Sequence, residues 1–287
     1  MGRSQVVRQR VLVSPFLGSN PSGPVLYSAP VTHCPLLVLD LDGVIVDGMQ
    51  EYWRSARRAC LKLAEGISLR PLPEEVPNVF RYLRPWVHHG WEMVLIAAEI
   101  ARPDSCLERW GLSRFCADYL SCCKEALRSW GQKPQQLQDA LDEVRRSAIE
   151  ADRSAWVKLH QPYPYVVQRL LKLDEDGVEW AVLTTKGTVF TAELLNSLGL
   201  APTKLYGRED GPKVEILLQL ALDQPLIGFV EDRRATLEIV RATKELHDLR
   251  CYLASWGYLR PEDSYLLPSG VRLLSLKTLM TPLASWP

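Results

Sequence analysis

The chain has 287 residues, 47 % apolar and 24 % charged, enough to bury a substantial core without disulfides or a structural metal. Its 34 basic and 34 acidic side chains cancel, so no net field favours duplex nucleic acid or an anionic membrane as partner. No apolar run reaches the ~18 residues that span a bilayer.

Seven cysteines, at 34, 60, 106, 116, 122, 123 and 251, form no CxxC pair and read as free or buried thiols in a reducing compartment. The neighbours Cys122 and Cys123 suit small apolar helix positions better than a metal or redox site.

No acidic residue precedes Asp40, and Arg3, Arg8 and Arg10 alternate with serine and small apolar residues. Such a segment can be an organellar transit peptide. The expectation adopted is a disordered tail over residues 1–34 on a cytoplasmic protein, with an organelle as the alternative.

From Pro35 the character changes. Residues 35–40, Pro-Leu-Leu-Val-Leu-Asp, form an apolar run ending in acid, which predicts a buried parallel strand feeding a loop. Similar runs lie at 179–184, 225–230 and 250–254, with a shorter one at 204–206. Helical patterns separate them, over 188–198, 213–222 and 234–247. Strands alternating with helices predict an α/β fold with a doubly wound, Rossmann-like parallel sheet, whose ligands bind beyond the carboxyl ends of the strands. Asp40, Thr184, Glu231 and Asp232 all fall at such ends.

Residues 48–177 break the alternation and read as mostly helical, over 51–64, 76–83, 86–101, 107–130 with interruptions, 134–159 and 165–173. Six of the nine tryptophans lie there, at 53, 86, 91, 110, 130 and 156, which marks a core of its own. The segment is expected to form a helical cap over a core made of 35–47 and 178–287.

Asp40 and Asp42 stand at i and i+2 on an extended segment, so both carboxylates can face one site, and Gly43 allows a sharp turn after them. Two adjacent carboxylates repel, which favours a bound cation or one protonated acid. Both outcomes suit phosphoryl transfer: a screened carboxylate can attack phosphorus, and a protonated neighbour can supply the leaving oxygen with its proton. An isolated DxD often does no more than cap a helix. Here Thr184 adds a hydroxyl, Lys213 a positive charge, and Glu231 and Asp232 two more carboxylates, in the order a phosphoryl site requires.

DLDGVIVD at 40–47, VLTTK at 182–186, the lysine in GPKVEIL at 211–217 and FVEDR at 229–233 resemble the four ordered motifs of the haloacid dehalogenase-like hydrolases. DLDGV and LTTK are most similar to the phosphoglycolate phosphatase and β-phosphoglucomutase branch, whose helical cap follows the first motif. The resemblance implies a phosphatase acting on a small phosphorylated metabolite, as a monomer or homodimer, without nucleic-acid or membrane partner. Asp40 would be the nucleophile that forms an aspartyl-phosphate, and Asp42 the general acid and then base. Thr184 and Lys213 would hold the phosphoryl group, with Gly43 and Thr185 beside it. Mg2+ would be bound by the Asp40 carboxylate, the Asp42 carbonyl and an acid of the fourth motif. That motif departs from the branch's Gly-Asp pattern, so Asp232 is taken as the direct metal ligand and Glu231 as second. A phosphomutase and a non-catalytic protein of the same fold are the alternatives.

Beside the motifs, Lys186 is expected either to touch substrate or to be solvated, and Arg233 or Arg234 to be surface residues or to meet an anionic substrate group. Asp47 is expected to cap the first cap helix. Glu51, Tyr52 and Trp53 follow the first motif, where relatives of this fold place groups facing the substrate; the aromatics are expected to pack helix against helix, with lining a pocket as the alternative. His88 and His89, read as neighbours on a helix, point about 100° apart and are not expected to share a metal.

Overall fold

The structure, a computed structural model, describes residues 34–64 and 66–287. The tail expected over 1–34 lies, up to residue 33, outside the described residues. The strands are β1 (Leu36–Leu39), β2 (Val46–Asp47), β3 (Gln161–Pro162), β4 (Glu179–Leu183), β5 (Lys204–Tyr206), β6 (Leu226–Glu231), β7 (Cys251–Ala254) and β8 (Val271–Leu274). Six of them form one parallel sheet in the order β5-β4-β1-β6-β7-β8, and β2 pairs antiparallel with β3. This is the expected α/β, Rossmann-like core.

β1 lies between β4 and β6, with Leu39 opposite both Val182 and Val230, and all four of its side chains are buried. The reason is that apolar clusters cover both faces. Leu37 and Leu39 join the one containing Phe190 and Leu194 of helix 188–197, while Leu36 and Val38 join the one containing Leu217 and Leu237. A continuous apolar run is what a strand covered on both faces requires.

The helices are α1 (Met49–Leu63), α2 (Asn78–Leu83), α3 (Gly90–Ala101), α4 (Cys106–Ala117), α5 (Tyr119–Trp130), α6 (Pro134–Val157), α7 (Val166–Leu170), α8 (Thr188–Ser197), α9 (Lys213–Asp223), α10 (Arg234–Ala242) and α11 (Leu276–Leu279). The first six lie between β2 and β3. Their core contains Trp53 and Phe80, packed edge to face with ring centres 5.1 Å apart, and Trp53 Nε1 donates to the Pro73 carbonyl at 3.1 Å. Trp53 is fully buried, so truncation to alanine costs about 3–5 kcal/mol. Cys122 and Cys123 are buried on α5, and all seven cysteines are free thiols.

Several boundaries differ from expectation for local reasons. The helix expected over 86–101 begins only at Gly90, because Arg84–Trp86 is a 3-10 turn and Val87 and His89 are extended. The long helix over 134–157 kinks at Asp152 (φ −158, ψ 92). The segment 107–130 breaks at Asp118, and Gly111 inside α4 is non-helical (φ 76, ψ 164). α10 stops at Ala242, leaving a 3-10 turn at Lys244–Leu246. β8 escapes the sequence pattern because it is an edge strand with Arg272 and Leu273 exposed. No described helix is long and apolar enough to cross a membrane.

Candidate active site

The carboxyl ends of β1, β4 and β6 converge. Asp40 follows β1 and is still tied to β6, its N–H donating to the Val230 carbonyl at 2.9 Å. Glu231 ends β6 and Asp232 follows it, while Lys213 opens α9. One carboxylate oxygen from each of Asp40, Glu231 and Asp232 lies within 4.8 Å of the others. Lys213 Nζ stands 2.9 Å from Asp40 Oδ1 and 2.7 Å from Glu231 Oε2.

Backbone geometry permits this crowding. Gly43 has φ +90, and its N–H donates to the Val46 carbonyl at 2.9 Å, which closes the turn after Asp42. A Cβ at Gly43 would lie 1.8 Å from Asp232 Oδ2, so the position requires glycine for space as well as for φ. Tyr258 N–H donates to the same Asp232 oxygen at 2.8 Å.

Asp40 and Glu231 share one lysine with Asp232 beside them, and the three proton affinities reflect it. Burial pushes the Asp40 carboxyl up to about 7, helped by Glu231 and Asp42 and opposed by Lys213. Burial, with Glu231 beside it, also holds Asp232 well above the usual carboxylate range. Glu231 is held low despite burial, because Lys213 pairs with it and its Oε1 accepts the N–H groups of Asp232 (3.1 Å) and Arg233 (3.0 Å). Excess buried negative charge is what a hard divalent cation neutralises. Asp40 Oδ1 is buried and accepts no well-aligned hydrogen bond. Both observations fit Mg2+. Glu231 has both oxygens engaged already, whereas Asp232 has one oxygen held by the Tyr258 amide.

Asp42 has a different environment. Its Oδ1 accepts from Tyr52 O–H at 2.5 Å, and both of its oxygens lie 3.2 Å from Lys186 Nζ. Against burial, Lys186, Tyr52 and Arg84 hold the carboxyl below its ordinary range. The higher proton affinity of the pair, expected at Asp42, therefore lies at Asp40.

Lys186 also departs from expectation. It is 4 % exposed, so it is not solvated, and its anionic partner is Asp42. Its Nζ is also 3.9 Å from Glu51 Oε2 on α1. Glu51 is fully buried and takes a two-point contact from Arg145 Nε (2.8 Å) and Nη2 (2.9 Å) of α6. The helical insertion thus reaches the core through Tyr52 and Glu51.

A cavity of about 460 Å³ opens over these groups, lined among others by Asp40, Asp42, Thr185, Lys213, Asp232 and Tyr258. Thr185 rather than Thr184 lines it; the Thr184 hydroxyl accepts from Lys186 N–H at 3.2 Å. Arg84, His88 and His89 line it from the insertion, and Arg233 from the core. Arg84 Cζ sits 4.1 Å from the Tyr258 ring centre and 5.0 Å from that of Tyr52, a cation stacked between two aromatic faces. Arg234 is elsewhere, clamped on the Tyr265 carbonyl (2.6 Å), the Leu266 carbonyl (3.1 Å) and Glu238 (2.8 Å). His88 and His89 precede α3 rather than riding on it. Asp47 Oδ1 accepts the Met49 N–H at 2.8 Å, in the first turn of α1, and the Tyr258 O–H at 2.6 Å.

Sequence reasoning missed Tyr52 as a partner of Asp42, missed Arg84 and Arg145 altogether, and noted the segment 254–258 only for its resemblance to the branch, without a role for Tyr258. Tyr52 was legible only as one aromatic among many on a helix. Arg84 carried a weak signal, since an arginine within the apolar run Tyr-Leu-Arg-Pro-Trp-Val at 82–87 is out of place unless it has work to do.

No curated protein sequence matches this chain. Among solved structures, a predicted phosphatase from Clostridium acetobutylicum superposes with TM-score 0.54 at 16 % identity, covering 86 % of this chain and 96 % of that one. A haloacid dehalogenase-like family hydrolase from Streptococcus pneumoniae gives 0.52 at 17 %, covering 86 % and 95 %. A predicted phosphoglycolate phosphatase from Haemophilus somnus gives 0.51 at 17 %, covering 84 % and 94 %. At such identities the likeness speaks for the fold. The sequence profile of the haloacid dehalogenase-like hydrolases matches residues 34–221, from β1 into α9, which takes in the paired aspartates after β1, the whole helical insertion and Lys213. With the motif order, the sheet and the profile in agreement, the chain belongs to the haloacid dehalogenase-like hydrolases.

Proposed function

We propose that the protein is a Mg2+-dependent phosphatase that hydrolyses a small-molecule phosphate monoester through an aspartyl-phosphate on Asp40. The observation that carries this reading is the meeting of Asp40, Lys213, Glu231 and Asp232 on one cavity, two carboxyls of which are pushed up by uncompensated buried charge. Asp40, Asp232 and the Asp42 carbonyl would hold the cation, with Glu231 second; when bound, Mg2+ offsets the negative charge of nucleophile and phosphoryl group.

Asp40 attacks phosphorus, and the bond from phosphorus to the leaving oxygen breaks. Lys213 faces the transferring group, and its ammonium is kept charged by Asp40 and Glu231 against the effect of burial. Asp42 is ionised in the free protein, so its proton must arrive with substrate. The negative phosphoryl group offsets Lys186 and raises the proton affinity of Asp42, which then protonates the leaving oxygen. Afterwards the Asp42 carboxylate takes a proton from the water that attacks the aspartyl-phosphate. The phosphorus–Asp40 bond breaks and inorganic phosphate leaves.

Residues 48–177 act in this reading as the cap. Tyr52 and Arg84 complete the site from that side, and their approach excludes bulk water.

The test is phosphate release from p-nitrophenyl phosphate and a panel of phosphorylated metabolites, with Mg2+ and with EDTA. Release is expected only with Mg2+, and Asp40→Asn is expected to lower it roughly 10⁴-fold. Full activity in Asp40→Asn would overturn the reading. Return of the phosphoryl group to the substrate, detected as a bisphosphate, would make the enzyme a mutase.

A further inference from the structure

The cavity floor is acidic, whereas its wall towards the adjoining cavity carries arginines as well as acids. Arg233 follows Asp232 directly, and it lines both the 460 Å³ cavity and an adjoining one of about 280 Å³. Its Nε is buried without a hydrogen-bond partner. Arg260 lines the second cavity, with its Cζ 5.3 Å from the Trp86 ring centre. Neither guanidinium makes an ion pair among the described residues. Glu238 and Asp263 beside the second cavity are otherwise employed, while Glu262, which lines it too, makes no ion pair among the described residues. Glu238 pairs with Arg234 at 2.8 Å, and Asp263 accepts the Arg260 backbone N–H at 2.9 Å. Glu92 accepts from the His88 N–H and the Tyr119 O–H, each at 2.8 Å, and Glu231 is held by Lys213.

Two guanidinium groups without a carboxylate partner, one with a buried donor, are costly unless something anionic completes them. Pro85 and Arg233 border both cavities, so a ligand with one end at Asp40 can extend past Arg233 towards Arg260.

We infer that Arg233 and Arg260 form a binding site for a second anionic group of the substrate, so that the preferred substrate is a phosphate monoester carrying a further phosphate or carboxylate at its far end. This rests on the phosphatase reading for the position of the transferred group. Arginine suits the task because its planar fork matches either anion in a two-point contact. A cavity of this size accommodates a small metabolite rather than a polymer.

The experiment is calorimetric binding to the full-length Asp40→Asn protein with Mg2+, which separates recognition from turnover. Fructose 6-phosphate is compared with fructose 1,6-bisphosphate, and sn-glycerol 3-phosphate with 3-phosphoglycerate. Within at least one pair the doubly anionic member is expected to bind about tenfold tighter, and the pair that shows it tells phosphate from carboxylate. Adding Arg233→Met or Arg260→Met is expected to bring that ratio close to one, whereas Arg233→Lys, which keeps the charge, retains part of it. Ratios near one in both pairs, or ratios that survive both methionine substitutions, would overturn the site. Hydrolysis of p-nitrophenyl phosphate by the unsubstituted protein is measured alongside. Turnover with equal affinities sinks the anion site alone, and tenfold ratios without turnover sink the phosphatase reading alone.

Discussion

Glu51 offers the sharpest test of how the insertion is joined to the core. Its carboxylate is fully buried, accepts two charged hydrogen bonds from Arg145 at 2.8 and 2.9 Å, and accepts a third from Ser55 Oγ at 2.6 Å. Lys186 Nζ stands 3.9 Å away. Glu51→Gln keeps the shape but leaves the cations of Arg145 and Lys186 buried with Asp42 as their remaining close carboxylate. Breaking a buried pair from one side costs about 3–5 kcal/mol, so for a chain of this size the unfolding midpoint is expected to fall by about 10 °C. Arg145 and Lys186 overcome burial and hold the Glu51 carboxyl far below its ordinary value of 4.5. A depressed acid stabilises the fold above its unfolded value, and that contribution is lost as pH falls. The gap between wild type and Glu51→Gln is therefore expected to be full at pH 7 and to narrow below about pH 4.5. Calorimetric unfolding at several pH values measures it. Adding Arg145→Met removes the stranded cation, so the double variant is expected to lose less than the sum of the single losses. A loss under about 1 kcal/mol at pH 7, with no narrowing in acid, would refute the claim that this ion pair is buried and structural.

Two further outcomes follow from the acidic floor. Asp40 is raised from 3.8 to about 7, so without metal the stability it contributes is present below pH 3.8 and lost as pH climbs towards 7. Mg2+ relieves that loss and is expected to raise the melting temperature more at pH 8 than at pH 5, by roughly 5–10 °C at a hundredfold excess over Kd, and not at all in Asp232→Asn; equal shifts at both pH values would count against these ligands. Gly43→Ala would place a methyl group 1.8 Å from Asp232 Oδ2 at φ +90, so it is expected to abolish the Mg2+-induced shift and to cost about 1–3 kcal/mol in stability; a variant that unfolds and binds Mg2+ like wild type would show that the turn can relax.

The sheet was legible because a strand covered on both faces has few polar positions to spare, and four such runs stand out in 287 residues, with a shorter one at the edge strand 204–206. The order of Asp40, Thr184, Lys213 and Asp232 was legible too, since each sits at the end of a strand or the start of a helix, where chain geometry alone brings it to one edge. β8 was hidden because an edge strand need bury only part of itself, and the start of α3 because the turn at Arg84–Trp86 depends on packing. Which side chains meet across the insertion was decided by tertiary structure alone. Asp42 and Tyr52 are ten positions apart, Asp42 and Lys186 are 144, and Glu51 and Arg145 are 94. No local pattern encodes such pairings, because they depend on how α1 and α6 dock against each other and on where the loop after β4 ends. The proton affinities of the two aspartates follow from those pairings: residue type places two equal acids just after β1, and only the folded surroundings, one lysine shared by Asp40 and Glu231 and two partners donating to Asp42, make them unequal.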